Sequence, residues 1–227
     1  MKIARNSKTE NQPQITFDEL YQHCIYASAA HAVANLRFSF FSYEQSWDGD
    51  NYSFKMSSEG TISFDFNKKI IAGALKEFES PRFRQYPEYQ AIELFSDAPD
   101  SVRQLADKEA LQYMLEEIEG VVLPAATTAF WLDSEGLFIF DDSIDEFWEN
   151  GGEFIRYLLG PFEELKEYLK EYSDLSEEET ALAEHLFRMK MNGNLQITKK
   201  DISGVDKKSE GYDEFTESLS ELGFIFK

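Results

Sequence analysis

The stretch Leu123 to Asp142, LPAATTAFWLDSEGLFIFDD, constrains the fold of this chain more than any other. Thr127 to Leu132 and Leu137 to Phe140 are two apolar runs rich in Phe, Trp, Ile and Thr, separated by Asp133, Ser134, Glu135 and Gly136. Aromatic and β-branched residues on either side of a polar turn with Gly read as a β-hairpin. Neither run alternates apolar with polar residues, so both faces of the hairpin are expected to be covered and the hairpin to stand at the centre of the core. No residue in the stretch has evident chemistry to do.

The rest of the chain is read around that hairpin. Residues 1 to 14 are polar, contain Pro13 and read as a loose arm. Thr16 and Glu19 have capping-box spacing, and Leu20, Cys24, Ala27, His31 and Ala34 follow as the apolar stripe of a helix expected to pack on a sheet. Tyr52, Phe54 and Met56, then Ile62, Phe64 and Phe66, alternate with polar neighbours around a turn at Ser57 to Gly60. With Ile70 to Leu75 they predict a three-stranded antiparallel meander. Pro81, Pro87 and Pro99 mark an irregular connection. A helix is expected from Asp100 to about Glu119, with Val102, Leu105, Leu111, Leu115 and Ile118 inward and Gly120 as its stop. Beyond the hairpin the chain reads as helical. Ser143 caps IDEFWEN, Pro161 opens PFEELKEYLKEY, Ser176 with Glu179 forms a second capping box, and short and final helices lie near Lys199 to Ile202 and at Tyr212 to Leu222. The fold class is therefore α+β: an antiparallel sheet of meander and central hairpin packed with helices, then an all-helical C-terminal region. The expected divisions are the arm at 1 to 14, the α+β core at 15 to 160, and a helical region at 161 to 227 that resembles a winged-helix core.

Charge narrows the function. The net charge is −21, and residues 133 to 184 hold 17 Asp and Glu against Arg156, Lys166 and Lys170. A polyanion as direct partner would need an array of basic residues, so nucleic acid is not expected. The acids of the final helix, Asp213, Glu214, Glu217 and Glu221, argue the same way against a DNA-reading role for the winged-helix-like region. No run suits a membrane span, the first 20 residues lack the apolar centre of a signal peptide, and Cys24 is the single cysteine. The expectation is a cytoplasmic protein with no membrane partner.

Chemistry-bearing patterns are few. Asp48 and Asp50 fail the calcium-loop spacing, since Tyr52 and Ser53 stand where the fifth-position ligand and the sixth-position Gly are needed; an Asp-Gly turn is the better reading. His23 and His31 are eight residues apart, too far for a metal pair on one helix turn, and Cys24 beside His23 points elsewhere on a helix. No cofactor, metal or catalytic set is expected. The densest acid cluster is Asp141, Asp142, Asp145, Glu146 and Glu149, with Ile144, Phe147 and Trp148 toward the other side of the same helix. The plain reading is a solvated helix face; the functional one is a surface for a cationic partner.

Several phrases in turn resemble a family of uncharacterised acidic bacterial proteins: WDGDNYSF, GTISF with the following AGAL and ESPR, ALQYMLEEIEG, TTAFWLDSEG and DEFWENGG. The resemblance covers about residues 40 to 155 and brings no known activity or functional residues. By analogy of type, small acidic cytoplasmic bacterial proteins are often immunity proteins that neutralise a toxin. The leading expectation is a non-enzymatic binding protein of immunity or antitoxin type. It would use Asp141, Asp142, Asp145, Glu146 and Glu149 against a basic partner, with Trp148 or Trp131 as aromatic anchor if exposed. One alternative is an enzyme or small-molecule-binding protein with a pocket between the meander and the first helix, using Asp48, Asp50, His31 or Arg82. The other is a decoy that mimics DNA by its charge.

Overall fold

The computed structural model describes residues 13–39, 44–55, 58–83, 90–118 and 120–227. Most of the expected arm, and Met56 and Ser57 of the meander turn, lie outside these. In chain order the first elements are α1 (Phe17–Asn35), β1 (Gln45–Asp48), β2 (Asn51–Lys55), β3 (Glu59–Asp65), β4 (Ile70–Lys76) and α2 (Asp100–Lys108). There follow β5 (Leu115–Ile118), β6 (Val121–Pro124), β7 (Thr128–Asp133), β8 (Gly136–Ile139), α3 (Ile144–Glu149) and α4 (Arg156–Leu159). The last are α5 (Phe162–Tyr172), α6 (Glu177–Met191), β9 (Gln196–Ile197), α7 (Tyr212–Glu221) and β10 (Ile225–Phe226). The fold is α+β with an antiparallel sheet and a largely helical C-terminal region. No helix among the described residues is long and apolar enough to cross a membrane.

The chain forms two compact units that do not follow linear order. The first holds the described residues up to Phe17 together with Gly49–Gly160; the second holds Asp18–Asp48 with Pro161–Lys227. Nearly all of α1 thus belongs with the C-terminal helices, whereas adjacency in sequence had grouped it with the strands that follow it.

In the first unit the meander and the hairpin join into consecutive antiparallel strands, β2-β3-β4-β7-β8. Tyr52 pairs with Ile62, Ile62 with Gly73, Gly73 with Phe130, and Phe130 with Ile139. As the missing alternation implied, β7 is buried on both faces. One face carries Ile70, Ala72, Ala74, Ala129 and Trp131, which pack with Leu94 and Phe95 of a short 3-10 turn and with Val102 and Ala106 of α2. On the other face Phe130 meets Phe147 of α3 edge-on at 6.3 Å. Gly73 makes room for Phe130, because a Cβ there would lie 2.0 Å from its ring.

The expected helix from Asp100 to Glu119 is shorter than its apolar spacing implied. α2 ends at Lys108, a 3-10 turn takes Ala110–Tyr113, and Leu115–Ile118 is a strand paired to Val121–Pro124. Leu111, Leu115 and Ile118 fit helical spacing, but the same segment serves a hairpin. Gly120, at φ 80°, lies between its strands instead of ending a helix.

In the second unit α1 is buried on every side from His23 to Asn35, not only along a stripe. His23 stacks on Phe162 at 5.2 Å, and Tyr26 sets its edge to Phe162 and Phe187 at 5.2 and 5.6 Å. Ser176 and Glu179 form the expected capping box of α6. Lys199 to Ile202 form turns instead of a helix, and β9 and β10 pair in parallel, so the expected three-helix set is two helices and a short ladder. Ile197, Ile202, Phe215, Leu219 and Leu222 are buried as expected.

Asp201 fastens the turn after β9. Thr198 donates its N–H and hydroxyl to the carboxylate at 2.9 and 2.6 Å, and His185 Nε2 lies 3.1 Å from the other oxygen. These contacts, Thr198's first, hold the Asp201 carboxyl down at about 2. A depressed carboxyl contributes stability in full above its ordinary value of 3.8 and loses it as pH falls toward 2. An NMR titration is expected to place its midpoint near 2, with Thr198→Ala moving it up. A midpoint at the ordinary value in the wild type would contradict this account.

Candidate functional site

The acid cluster is built around α3. Ser143 caps the helix by accepting the Glu146 N–H at 3.1 Å, and Asp145 and Glu146 in the first turn suit the positive end of the helix dipole. At the other end Asn150 turns its side chain inward. Its Nδ2 donates to Asp141 Oδ1 at 3.0 Å and to the Glu146 carbonyl at 2.9 Å, while its Oδ1 accepts from Ser80 at 2.6 Å.

Arg82 ties this helix to the sheet. One nitrogen, Nη1, lies 2.6 Å from Asp141 Oδ1 and donates to the Thr127 carbonyl at 3.0 Å; the other, Nη2, reaches Glu146 Oε1 at 2.6 Å. The planar fork of a guanidinium suits such divided duty, which a lysine could not reproduce. Thr128 donates its hydroxyl to Asp141, and Thr127 donates to the Asn150 carbonyl at 2.7 Å while accepting from the Glu77 N–H at 2.8 Å. Burial pushes the Asp141 carboxyl up, and Glu146 adds to this; Thr128 and Arg82 pull against them.

A second buried ion group stands next to it in the chain. Lys76, fully buried at the end of β4, is bound by Glu116 and by Glu59 at 2.5 Å, with its ammonium 4.8 Å from the centre of the Phe78 ring. Lys55 also reaches Glu59 at 3.2 Å. Burial alone would raise Glu59, but the hydrogen bonds and charges of Lys76 and Lys55 outweigh it and hold the carboxyl low.

The five acids expected to face a partner therefore divide. Asp141 is buried and committed to Arg82, Thr128 and Asn150, so it presents no carboxylate to a partner. Glu146 is shared with Arg82 and half-exposed. Asp145 and Glu149 are exposed one turn apart on α3, and Asp142 is exposed just before the cap Ser143. Trp148 is half-buried beside Phe147, with the Arg156 guanidinium 5.1 Å from its ring centre. Trp131 is buried and stacked on Phe138, so it cannot serve as an exposed anchor.

The residues named for a pocket are dispersed. Asp50 and Arg82 belong to the first unit, His31 and Asp48 to the second. His31 is buried, Asp48 and Asp50 are exposed beside the Gly49 turn, and Arg82 is held by carboxylates. Cys24 is buried and its thiol is pushed well up, away from thiolate chemistry. Among the described residues no group of His, Cys, Asp or Glu is placed to hold a metal ion.

Sequence reasoning passed over Lys76, Glu59, Glu116, Thr127 and Asn150. A lysine closing the apolar run IIAGALK was the one available signal. Comparison with known proteins returns no match to this chain from family models, curated proteins or solved structures.

Proposed function

We propose that this chain is a non-enzymatic protein-binding protein of immunity or antitoxin type that takes a basic partner on α3. The observation that carries the reading is the division of the acid cluster. Asp141 and Glu146 fix α3 to the sheet through Arg82, and Asp142 just before the helix, with Asp145 and Glu149 on it, are left exposed. Carboxylates held in place lose little freedom on binding, and a net charge of −21 steers a basic protein toward them.

The test reverses only the exposed acids. D142K/D145K/E149K is expected to change the urea unfolding free energy by about 1 kcal/mol or less, since all three carboxylates are exposed and the main loss is that of Asp145 at the positive end of the helix dipole. A pull-down from native cell lysate at low and high salt, with mass spectrometry, compares the two proteins. A stoichiometric basic protein held by wild type, weakened by salt and bound about a hundredfold or more weaker by the variant is the expected result. Equal retention by both proteins, or no partner at either salt, would overturn the reading and shift attention to a small-molecule site.

A further inference from the structure

Trp148 stands one turn after Asp145 on α3, so an aromatic ring sits next to a carboxylate offered to the partner. Packing fixes its position: the ring lies 5.0 Å from that of Phe147, which is fully buried and meets Phe130 of the sheet. Trp148 itself is only half-buried. A large ring held in place and still reachable is what protein interfaces use as an anchor.

The chain covers that ring with a cation of its own. After α3, Gly151 takes φ 121°, a value that residues with a side chain rarely adopt, and the chain turns back so that Arg156 opens α4 beside the helix it has just left. Gly152 lets the return run close, since a Cβ there would lie 2.5 Å from the Phe147 ring. Ile155, Leu158 and Leu159 are buried, whereas Arg156 is exposed. Its guanidinium lies 5.1 Å from the centre of the Trp148 ring and donates to Glu153 at 3.0 Å. About half of each side chain is open to water, 49% for Arg156 and 54% for Glu153. A cation–π contact and an ion pair so exposed each contribute little, and the guanidinium is held loosely.

We infer that Arg156 is an autoinhibitory placeholder: it occupies on Trp148 the position that an arginine of the basic partner takes, and binding displaces it. The ring already receives a guanidinium, which is the group that fits it. Asp145, one turn away, and Glu153, once released from Arg156, supply carboxylates for the incoming arginine. A lysine would bring the charge without the planar group that stacks on the ring. The inference rests on the basic-partner reading and adds to it the residue that competes with the partner.

The probe is an eight-residue peptide of alternating Arg and Gly, with a Lys/Gly peptide as control. Fluorescence anisotropy gives affinity, and NMR follows the Trp148 indole N–H. Arg156→Gln uncovers the ring but also makes the protein more negative. Arg103→Gln, at an exposed position of α2 on the opposite face of the sheet from α3, makes the same charge change and controls for it. Arg156→Gln is expected to bind the Arg peptide roughly three- to tenfold tighter than Arg103→Gln does, with a smaller gain for the Lys peptide and a shift of the Trp148 indole on binding. Adding Trp148→Leu is expected to remove the gain. Equal affinities in Arg156→Gln and Arg103→Gln, or an indole that does not move, would overturn the inference; the basic-partner reading survives that result if D142K/D145K/E149K still weakens the peptide. A gain that persists in a folded Trp148→Leu variant overturns it as well, by making Glu153 alone the released group. Should that variant unfold in the urea titration, the indole shift decides. Equal gains for the Arg and Lys peptides would overturn arginine as the occupant. Peptide binding that Arg156→Gln strengthens and D142K/D145K/E149K leaves unchanged would keep the placeholder and sink the reading that those acids take the partner.

Discussion

Arg82→Ala is expected to lower the free energy of unfolding by about 3–5 kcal/mol, as removal of one member of a buried ion pair does. The change leaves Asp141 buried without its cation, frees Glu146 from the sheet and removes the donor to the Thr127 carbonyl. Arg82→Lys keeps the charge but cannot bridge both carboxylates, so it should recover only part of the loss. Acidity supplies an internal check. The Asp141 carboxyl is already raised, so its protonated form is favoured by folding, and ionising it costs stability as pH rises through the carboxylate range. Removing Arg82 raises it further. The gap between wild type and Arg82→Ala in urea unfolding should thus widen from pH 4 to pH 7. A gap that is constant across that range would show that Asp141 is not what the arginine compensates.

Lys76→Met should cost about 3 kcal/mol or more, although methionine preserves the bulk of the side chain. Glu59 and Glu116 would then face each other without the cation between them, with only Lys55 left near Glu59. Adding Glu59→Gln is expected to restore part of the stability. The sign of the pH effect matches that of Arg82→Ala, for a different reason. Glu59 is held low in the wild type, so it contributes stability above its ordinary value of 4.5 and loses it as pH falls. The variant lacks that contribution, and the two unfolding curves should draw together in acid. Curves that stay parallel from pH 7 to pH 4 would mean that Lys76 acts through packing alone.

How much of this was legible in the sequence depended on whether the signal was local. The hairpin at Thr128–Asp133 and Gly136–Ile139, the meander, and the Ser143 and Ser176 caps are set by residues within a few positions of each other. The segment Leu111 to Ile118 was read as helix because its apolar spacing admits both periods over so short a run. The fate of Asp141 was hidden for another reason. Its cation is Arg82, far away in the chain, and only the pairing of β4 with β7 brings their neighbourhoods together. Arg82 had been noticed as a chemical group, but for a pocket and not as the clamp of the acid cluster. The same distance concealed Lys76 and Glu116, which are joined only after β5 forms. Asp145 and Glu149 were legible as exposed acids because helical spacing sets them outward, and Asp142 stands exposed one residue before the cap.

The division of the chain into units also bears on how it is made. Synthesis delivers α1 early, whereas Phe162 and Phe187, the rings that receive its His23 and Tyr26, come more than a hundred residues later. The segment Gly49–Gly160 can form its sheet while the chain is still being elongated, but α1 must wait with an apolar surface uncovered until Phe162 and Phe187 have been made. A nascent chain stalled before residue 161 should therefore already show a protease-resistant sheet and a protease-sensitive first helix.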